Sequence, residues 1–141
     1  MPPPSDIERL EKILWELDET IIPRLSERVD IREYAQKLSQ RAELYYARFG
    51  DKDIGNCAIY MNGSSVGFIS SIALKKEWQN KGIGKRLWRA IITQAKTKGI
   101  QTIELLVYEK NDAAITFYKK LGFRKKEMGD SWITMWYEVE E

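Results

Sequence analysis

Apolar positions along the chain alternate between two periods. Ile7, Leu10, Ile13, Leu14 and Leu17 recur every three or four residues, the spacing of one buried helix face. Pro2-Pro3-Pro4 before them is expected to be a short extended arm, with Ser5 or Asp6 as the helix cap. Ile21-Ile22-Pro23 is expected to end the helix, because a residue preceding proline is pushed out of the helical region. Asp30 is placed to cap a second helix with Ile31, Tyr34, Ala35 and Leu38 on one face, and Glu33 sits at the capping-box position.

Strand patterns follow. Residues 43–49 are rich in aromatics, Gly50 to Asp53 is turn-like, and residues 54–61 lead to Asn62-Gly63, a hairpin signal. Residues 65–74 form the returning strand. The helical period then reappears at Ile83, Leu87, Ile91 and Ala95, and Gly99 is suited to stop that helix. Residues 101–108 read as a strand, and Asn111 or Asp112 as the cap of a short helix closed by Gly122. Strands at about 123–128 and 131–139 finish the chain. The strand–helix–strand order makes 65–74 and 101–108 parallel neighbours joined by a right-handed crossover. The fold class is therefore α/β: a mixed, mostly antiparallel twisted sheet with a central parallel strand pair and helices on both faces.

Bulk properties narrow the chemistry. The 141 residues fit one domain, 1–141, with 1–41 as the arm and first two helices. Net charge is +2, from 23 basic and 21 acidic residues, which gives no reason to invoke nucleic acid. Lys75-Lys76, Lys119-Lys120 and Arg124-Lys125-Lys126 read as solvated faces. The single cysteine, Cys57, forms no internal disulfide and fits a cytoplasmic setting. Without histidine, a Cys/His zinc site and a Ser-His-Asp arrangement are excluded, and no metal is expected. No signal peptide is read at the N-terminus. No apolar run approaches the roughly 18 residues of a membrane span.

The loop from Lys75 to Lys81 leads into a helix start bearing Gly82 and Gly84, beside Lys81, Lys85 and Arg86. Free N–H groups, partial positive charge and glycines that admit close approach make this an anion site suited to a pyrophosphate. A dinucleotide fingerprint requires a third glycine where Leu87 stands. A P-loop requires glycine where Gln79 stands and Ser or Thr where Arg86 stands.

Gln79-x-x-Gly82-x-Gly84 resembles the Gln/Arg-x-x-Gly-x-Gly/Ala motif of the GNAT-type N-acetyltransferase superfamily. Asn111-x-x-Ala114-x-x-Phe117-Tyr118-x-x-x-Gly122-Phe123 resembles that family's second signature, and the two occur in the right order. The resemblance covers about residues 42–139 and implies an acyl-CoA-binding core at 65–123. Members usually begin with a strand before two helices, and here that strand is missing or very short.

The resemblance implies acetyl-CoA as co-substrate and a small-molecule or protein amine as acceptor, attacked directly in a ternary complex. Backbone groups of Ile72, Ala73 and Leu74 would meet the pantetheine and the thioester carbonyl. Gln79, Asn80, Lys81, Gly82, Ile83, Gly84 and Lys85 would cradle the pyrophosphate. Asn111 would bond the pantetheine or serve only as a helix cap, and Ala114 and Phe117 would flank it. Tyr118 would protonate the departing thiolate.

A lysine-like amine is neutral in about one molecule in 2,500 at pH 7, and an α-amine in about one in seven, so a base or an ordered water would help either one. Glu104 is a candidate base and Glu77 a poor one; none is assigned. Trp132 and Trp136 share a strand face suited to the acceptor cleft or a homodimer interface. The alternative is a non-catalytic acyl-CoA-binding or regulatory domain of the same fold.

Overall fold

The structure, a computed structural model, describes residues 4–139, with side chains from Asp6 onward. The elements run α1 (Pro4–Leu17), α2 (Ile31–Arg41), β1 (Glu43–Phe49), β2 (Lys52–Tyr60), β3 (Val66–Leu74), α3 (Ile83–Thr97), β4 (Thr102–Tyr108), α4 (Asp112–Leu121), β5 (Arg124–Met128) and β6 (Trp132–Glu138). They form one six-stranded sheet of order β1-β2-β3-β4-β6-β5. Only the β3–β4 pair is parallel, as the crossover through α3 requires.

Local expectations fail at several boundaries. Pro4 lies inside α1, so Ser5 and Asp6 occupy its first turn rather than its cap. Proline is tolerated there because its missing N–H has no intrahelical partner to lose. Pro2 and Pro3 lie outside the described residues. The helix ends at Leu17, before Ile21, and passes into a 3-10 turn at Asp18–Thr20. Asp18, buried, accepts hydrogen bonds from the backbone N–H and the hydroxyl of Ser26 at 2.7 and 2.6 Å, which fixes the following loop. The first hairpin is also tighter than expected. Lys52 pairs with Phe49, so the turn reduces to Gly50-Asp51, with Gly50 at φ 63°.

Cross-strand registry assigns the two faces of the sheet. On one face Leu10, Ile13, Leu14 and Leu17 of α1 and Ile31, Ala35 and Leu38 of α2 pack with Ala58, Leu44, Tyr46, Tyr60 and Ala73. On the other, Leu87, Trp88, Ile91 and Ala95 of α3 and Ile115 of α4 pack with Cys57, Ile59, Ile69, Ile103, Leu105, Val107, Ile133 and Met135. Burying a Leu or Ile side chain contributes about 1.5–3 kcal/mol, so each layer is held mainly by these contacts. Among the described residues no helix is long and apolar enough to cross a membrane.

One irregularity positions the site. Ile59 pairs with Ile69 and Ala58 with Ser71, leaving Ser70 as a bulge in β3. On the other edge, β3 pairs with β4 only from Val66↔Thr102 to Ile69↔Leu105. Beyond that point β3 stays with β2 as far as Leu74↔Gly55, and β4 stays with β6 as far as Tyr108↔Trp132. A bulge bends and twists its strand, and here it turns β3 away from β4. The sheet therefore opens into a wedge between residues 70–74 and 106–108.

The first helix is also anchored electrostatically. Arg9 donates to both carboxylate oxygens of Asp53 at 2.7 Å and stacks over the Tyr46 ring at 3.7 Å. The hydrogen bond from Arg9 holds the Asp53 carboxyl below its ordinary value of 3.8. The carboxylate's contribution is therefore present above that value and is lost as pH falls through the lower folded value. Asp53→Asn should lower stability to urea at about pH 7, and the gap from the unsubstituted protein should narrow as pH falls below 3.8. Urea titrations across that range check it.

Candidate active site

The loop after β3 starts from a tied strand end. Lys75 N–H donates to the Ile54 carbonyl at 2.8 Å, and a 3-10 turn covers Lys76–Trp78. Gln79 then folds back, its Nε2 donating to the Leu74 carbonyl at 3.0 Å. Gln79 thus braces the loop against the strand end. Asn80 at φ 62° and Gly82 at φ 81° supply two left-handed residues that turn the chain into α3.

Helix α3 differs from the other helices whose caps are described. Asp30 caps α2 through Glu33 N–H, and Asn111 caps α4 through Ala114 N–H, but Gly82 offers α3 no side chain. The first-turn N–H groups of α3 are therefore left for another acceptor. Lys81, Lys85 and Arg86 lie exposed around them, and none is ion-paired among the described residues. This is a cationic, donor-rich helix start at the open end of the wedge.

The two glycines of this segment do different work. A Cβ on Gly82 would meet nothing within 4 Å, so its glycine serves the positive φ. A Cβ on Gly84 would lie 2.7 Å from Phe117 Cζ. Gly84 is buried, and its bare backbone lets Phe117 of α4 close against the start of α3. The spacing of the two glycines thus serves both a turn and an interhelix contact.

The structure brings the other expected residues toward this point. Ile72 and Leu74 face the α3/α4 layer, Leu74 within reach of Gly84, while Ala73 faces α1 and α2. Asn111 Oδ1 is used by the α4 cap at 3.2 Å, and its Nδ2 makes no hydrogen bond among the described residues. Ala114 and Tyr118 pack at the margin of the core that includes Cys57. The Tyr118 ring lies 5.8 Å from that of Phe117 and 5.7 Å from that of Phe123. Its hydroxyl has no hydrogen-bond partner among the described residues, and burial raises its pKa. That phenol stays protonated across neutral pH and is available as a donor.

Glu104, the candidate base, is held by Lys126 Nζ at 2.7 Å. Trp132 and Trp136 do share a face, under the guanidinium groups of Arg28 at 5.3 Å and Arg124 at 4.6 Å. On that face Phe68 and Leu106 are exposed beyond the edge of α1 and α2. Four polar groups that no motif singled out also lie there. Tyr34 Oη and Ser70 Oγ share a hydrogen bond, while Asn56 Oδ1 and Ser71 Oγ are buried without partners among the described residues. The available signal was Ser70-Ser71, two hydroxyls that interrupt an apolar strand.

A cavity of about 500 Å³ lies between α4 and the β5–β6 hairpin, lined by Glu109, Thr116, Lys119 and Met128 among others. None of the expected site residues lines it. Among the described residues no group of three or more His, Cys, Asp or Glu side chains is placed to hold a metal ion.

Residues 7–123 match the model of the acetyltransferase (GNAT) family. An uncharacterized N-acetyltransferase of Methanocaldococcus jannaschii is 33% identical over 112 residues, covering 74% of this chain and 50% of that protein. The chain thus spans about half the length of that relative. N-alpha-acetyltransferase 30 of Schizosaccharomyces pombe is 39% identical over 57 residues, 40% of this chain and 38% of that protein. The PaiA N-acetyltransferase of Thermoplasma acidophilum, solved in complex with coenzyme A, has a TM-score of 0.75 and 22% identity, covering 95% of this chain and 93% of that one. That likeness establishes the fold.

Gly84→Ala should destabilise the protein by about 1–3 kcal/mol, because Phe117 must move. Gly84→Ala with Phe117→Leu should recover part of the loss. Gly82→Ala should cost about 1–2 kcal/mol through backbone strain alone, with no relief from Phe117→Leu. Denaturant unfolding of the four variants separates the two cases.

Proposed function

The chain belongs to the acetyltransferase (GNAT) family, and on that premise we propose that it transfers an acetyl group from acetyl-CoA to a primary amine, by direct attack in a ternary complex. The observation that carries the reading is the conjunction of an uncapped, cationic α3 start with a wedge open between β3 and β4. The helix start suits the pyrophosphate. The wedge suits an extended amide-bearing chain, because both of its walls are strand edges with backbone groups unused by the sheet. The pantetheine arm is such a chain.

In this reading Lys81 to Lys85 hold the pyrophosphate through backbone N–H groups and lysine charge, with Gln79 and Asn80 shaping the loop. Backbone groups of Ile72 to Leu74 bond the pantetheine amides, and an N–H there polarises the thioester carbonyl and stabilises the tetrahedral oxyanion. The free Nδ2 of Asn111 donates to the pantetheine while Oδ1 caps α4. Ala114 and Phe117 wall the arm. The attacking amine approaches from the face left open beyond α1 and α2, past Phe68 and Leu106. The acceptor is a small-molecule or protein amine.

Tyr118 donates to the sulfur as the C–S bond breaks. A thiol titrates near 8.5 and a free phenol near 10, and burial moves this phenol higher. Complete proton transfer to the thiolate is thus uphill, and hydrogen-bond donation is the main contribution. Tyr118→Phe should lower kcat by about tenfold to a hundredfold while leaving the Kd for coenzyme A within about twofold. An unchanged kcat removes the role.

The direct test is thiol release from acetyl-CoA with phenethylamine, lysine and an alanyl peptide as acceptors, alongside calorimetric titration with coenzyme A. The reading predicts micromolar-range binding and amine-dependent release. Binding without release for any amine points instead to an acyl-CoA-binding regulatory domain.

A further inference from the structure

Ser70 is the one residue of β3 that pairs with neither neighbouring strand. The bulge skips it on the β2 side, and pairing with β4 ends at Ile69. It therefore stands at the apex of the wedge. Its hydroxyl is hydrogen-bonded to the Tyr34 hydroxyl of α2, on the face from which an acceptor would approach.

The surroundings of this pair are polar beyond what packing requires. Ser71 follows on the same face, opposite Ala58, and Asn56 lies opposite Ala73 on the adjacent strand. Asn56 is 1% exposed; its Nδ2 donates to the Tyr45 carbonyl at 3.1 Å, and its Oδ1 is left unpartnered, as is Ser71 Oγ. Burying a polar atom without a partner is costly, so a fold that served packing alone would gain from apolar residues here. Tyr60, on the same face of β2, packs against the same helix layer as Tyr34. The Ser70–Tyr34 pair thus carries hydroxyls from the wedge apex to half-buried Tyr34 on α2. Glu104, the candidate carboxylate base, is occupied by Lys126.

We propose that Ser70 takes the proton from the attacking amine and that Tyr34 passes it outward. This rests on the acetyl-transfer reading above. The neutral amine nitrogen bonds to the thioester carbonyl carbon, and the C–S bond breaks. The nitrogen loses one proton to Ser70 Oγ as Ser70 gives its own to Tyr34 Oη, and half-buried Tyr34 releases one to solvent. The sulfur departs as a thiolate held by the Tyr118 hydroxyl and takes its proton from solvent, which balances the proton released from the amine. Ser70 is the catalytic group, and Tyr34 is a positioning and relay residue.

The test compares Ser70→Ala, Ser70→Thr and Tyr34→Phe with the unsubstituted protein, using acetyl-CoA and whichever of phenethylamine, lysine and the alanyl peptide is turned over fastest. Ser70→Ala is expected to lower kcat about 10²-fold, with coenzyme A affinity and acceptor KM within about twofold. Ser70→Thr, which keeps the hydroxyl, should recover most of the rate. Tyr34→Phe should lower kcat about tenfold and provides an independent reading should Ser70→Ala fold poorly. A kcat within twofold of the unsubstituted value in a folded Ser70→Ala or Tyr34→Phe overturns the relay, even if melting temperature falls, since pinning α2 would then be the hydroxyl pair's whole role. Coenzyme A binding with no amine turned over by the unsubstituted protein overturns the acetyl-transfer reading and the relay with it, a result distinct from loss of the relay alone.

Discussion

A parallel pair of strands in the middle of a sheet ordinarily stays paired, because buried backbone groups left without partners are costly. In this protein β3 and β4 separate after Ile69↔Leu105, each keeping its other neighbour. The bulge at Ser70 is the local cause, and the rest of the site depends on the gap it makes. Without it, β3 would continue alongside β4, and the backbone of residues 70–74 would be consumed by the ladder. With it, the sheet keeps an internal pair of strand edges that can bond a guest chain. The bulge also brings Ser71 to the α1/α2 face, where regular alternation after Ile69 would have turned it toward α3 and α4.

The surrounding elements hold that gap open at both ends. Gly55 on β2 leaves room for Leu74, since a Cβ there would lie 2.4 Å from Leu74 Cδ2. Gly84 leaves room for Phe117, so the start of α3 and the middle of α4 meet beside Leu74. These are steric fits between bare backbone and large side chains, and they fix where the uncapped α3 terminus points. Charge then supplies the chemistry. The cations around α3 stand at one end of the wedge, and the hydroxyls of Ser70 and Tyr34 stand on its opposite face. On the proposed reading, donor binding and amine deprotonation fall to different layers of the molecule, the first to α3 and α4 and the second to α2.

Much of this was legible in the sequence for physical reasons. The periods of the apolar residues located each main helix and strand, and the order strand–helix–strand forced the parallel pair. The Gly82 and Gly84 spacing pointed to the α3 start, which the fold leaves without a side-chain cap. What stayed hidden depended on tertiary contacts. Pro4 looked like part of an extended arm because the cost of proline depends on its place in a helix, which sequence alone left open. The reason for Gly84 looked like ligand access, and only the position of Phe117 shows a packing role. Glu104 was a candidate base without an assignment, and its ion pair with Lys126, 22 residues away, depends on tertiary structure. The bulge at Ser70 could not be read because a one-residue slip in registry leaves composition and period almost unchanged.

The central claim is that the wedge and the α3 start together receive one acyl-CoA molecule. Backbone amide shifts recorded by nuclear magnetic resonance during titration with acetyl-CoA test it most directly. The account predicts that the largest changes fall on residues 71–74, 81–86 and 106–108, all moving with a single dissociation constant. Changes confined to the groove between α4 and the β5–β6 hairpin, or an α3 start that responds while residues 71–74 and 106–108 stay fixed, would contradict it.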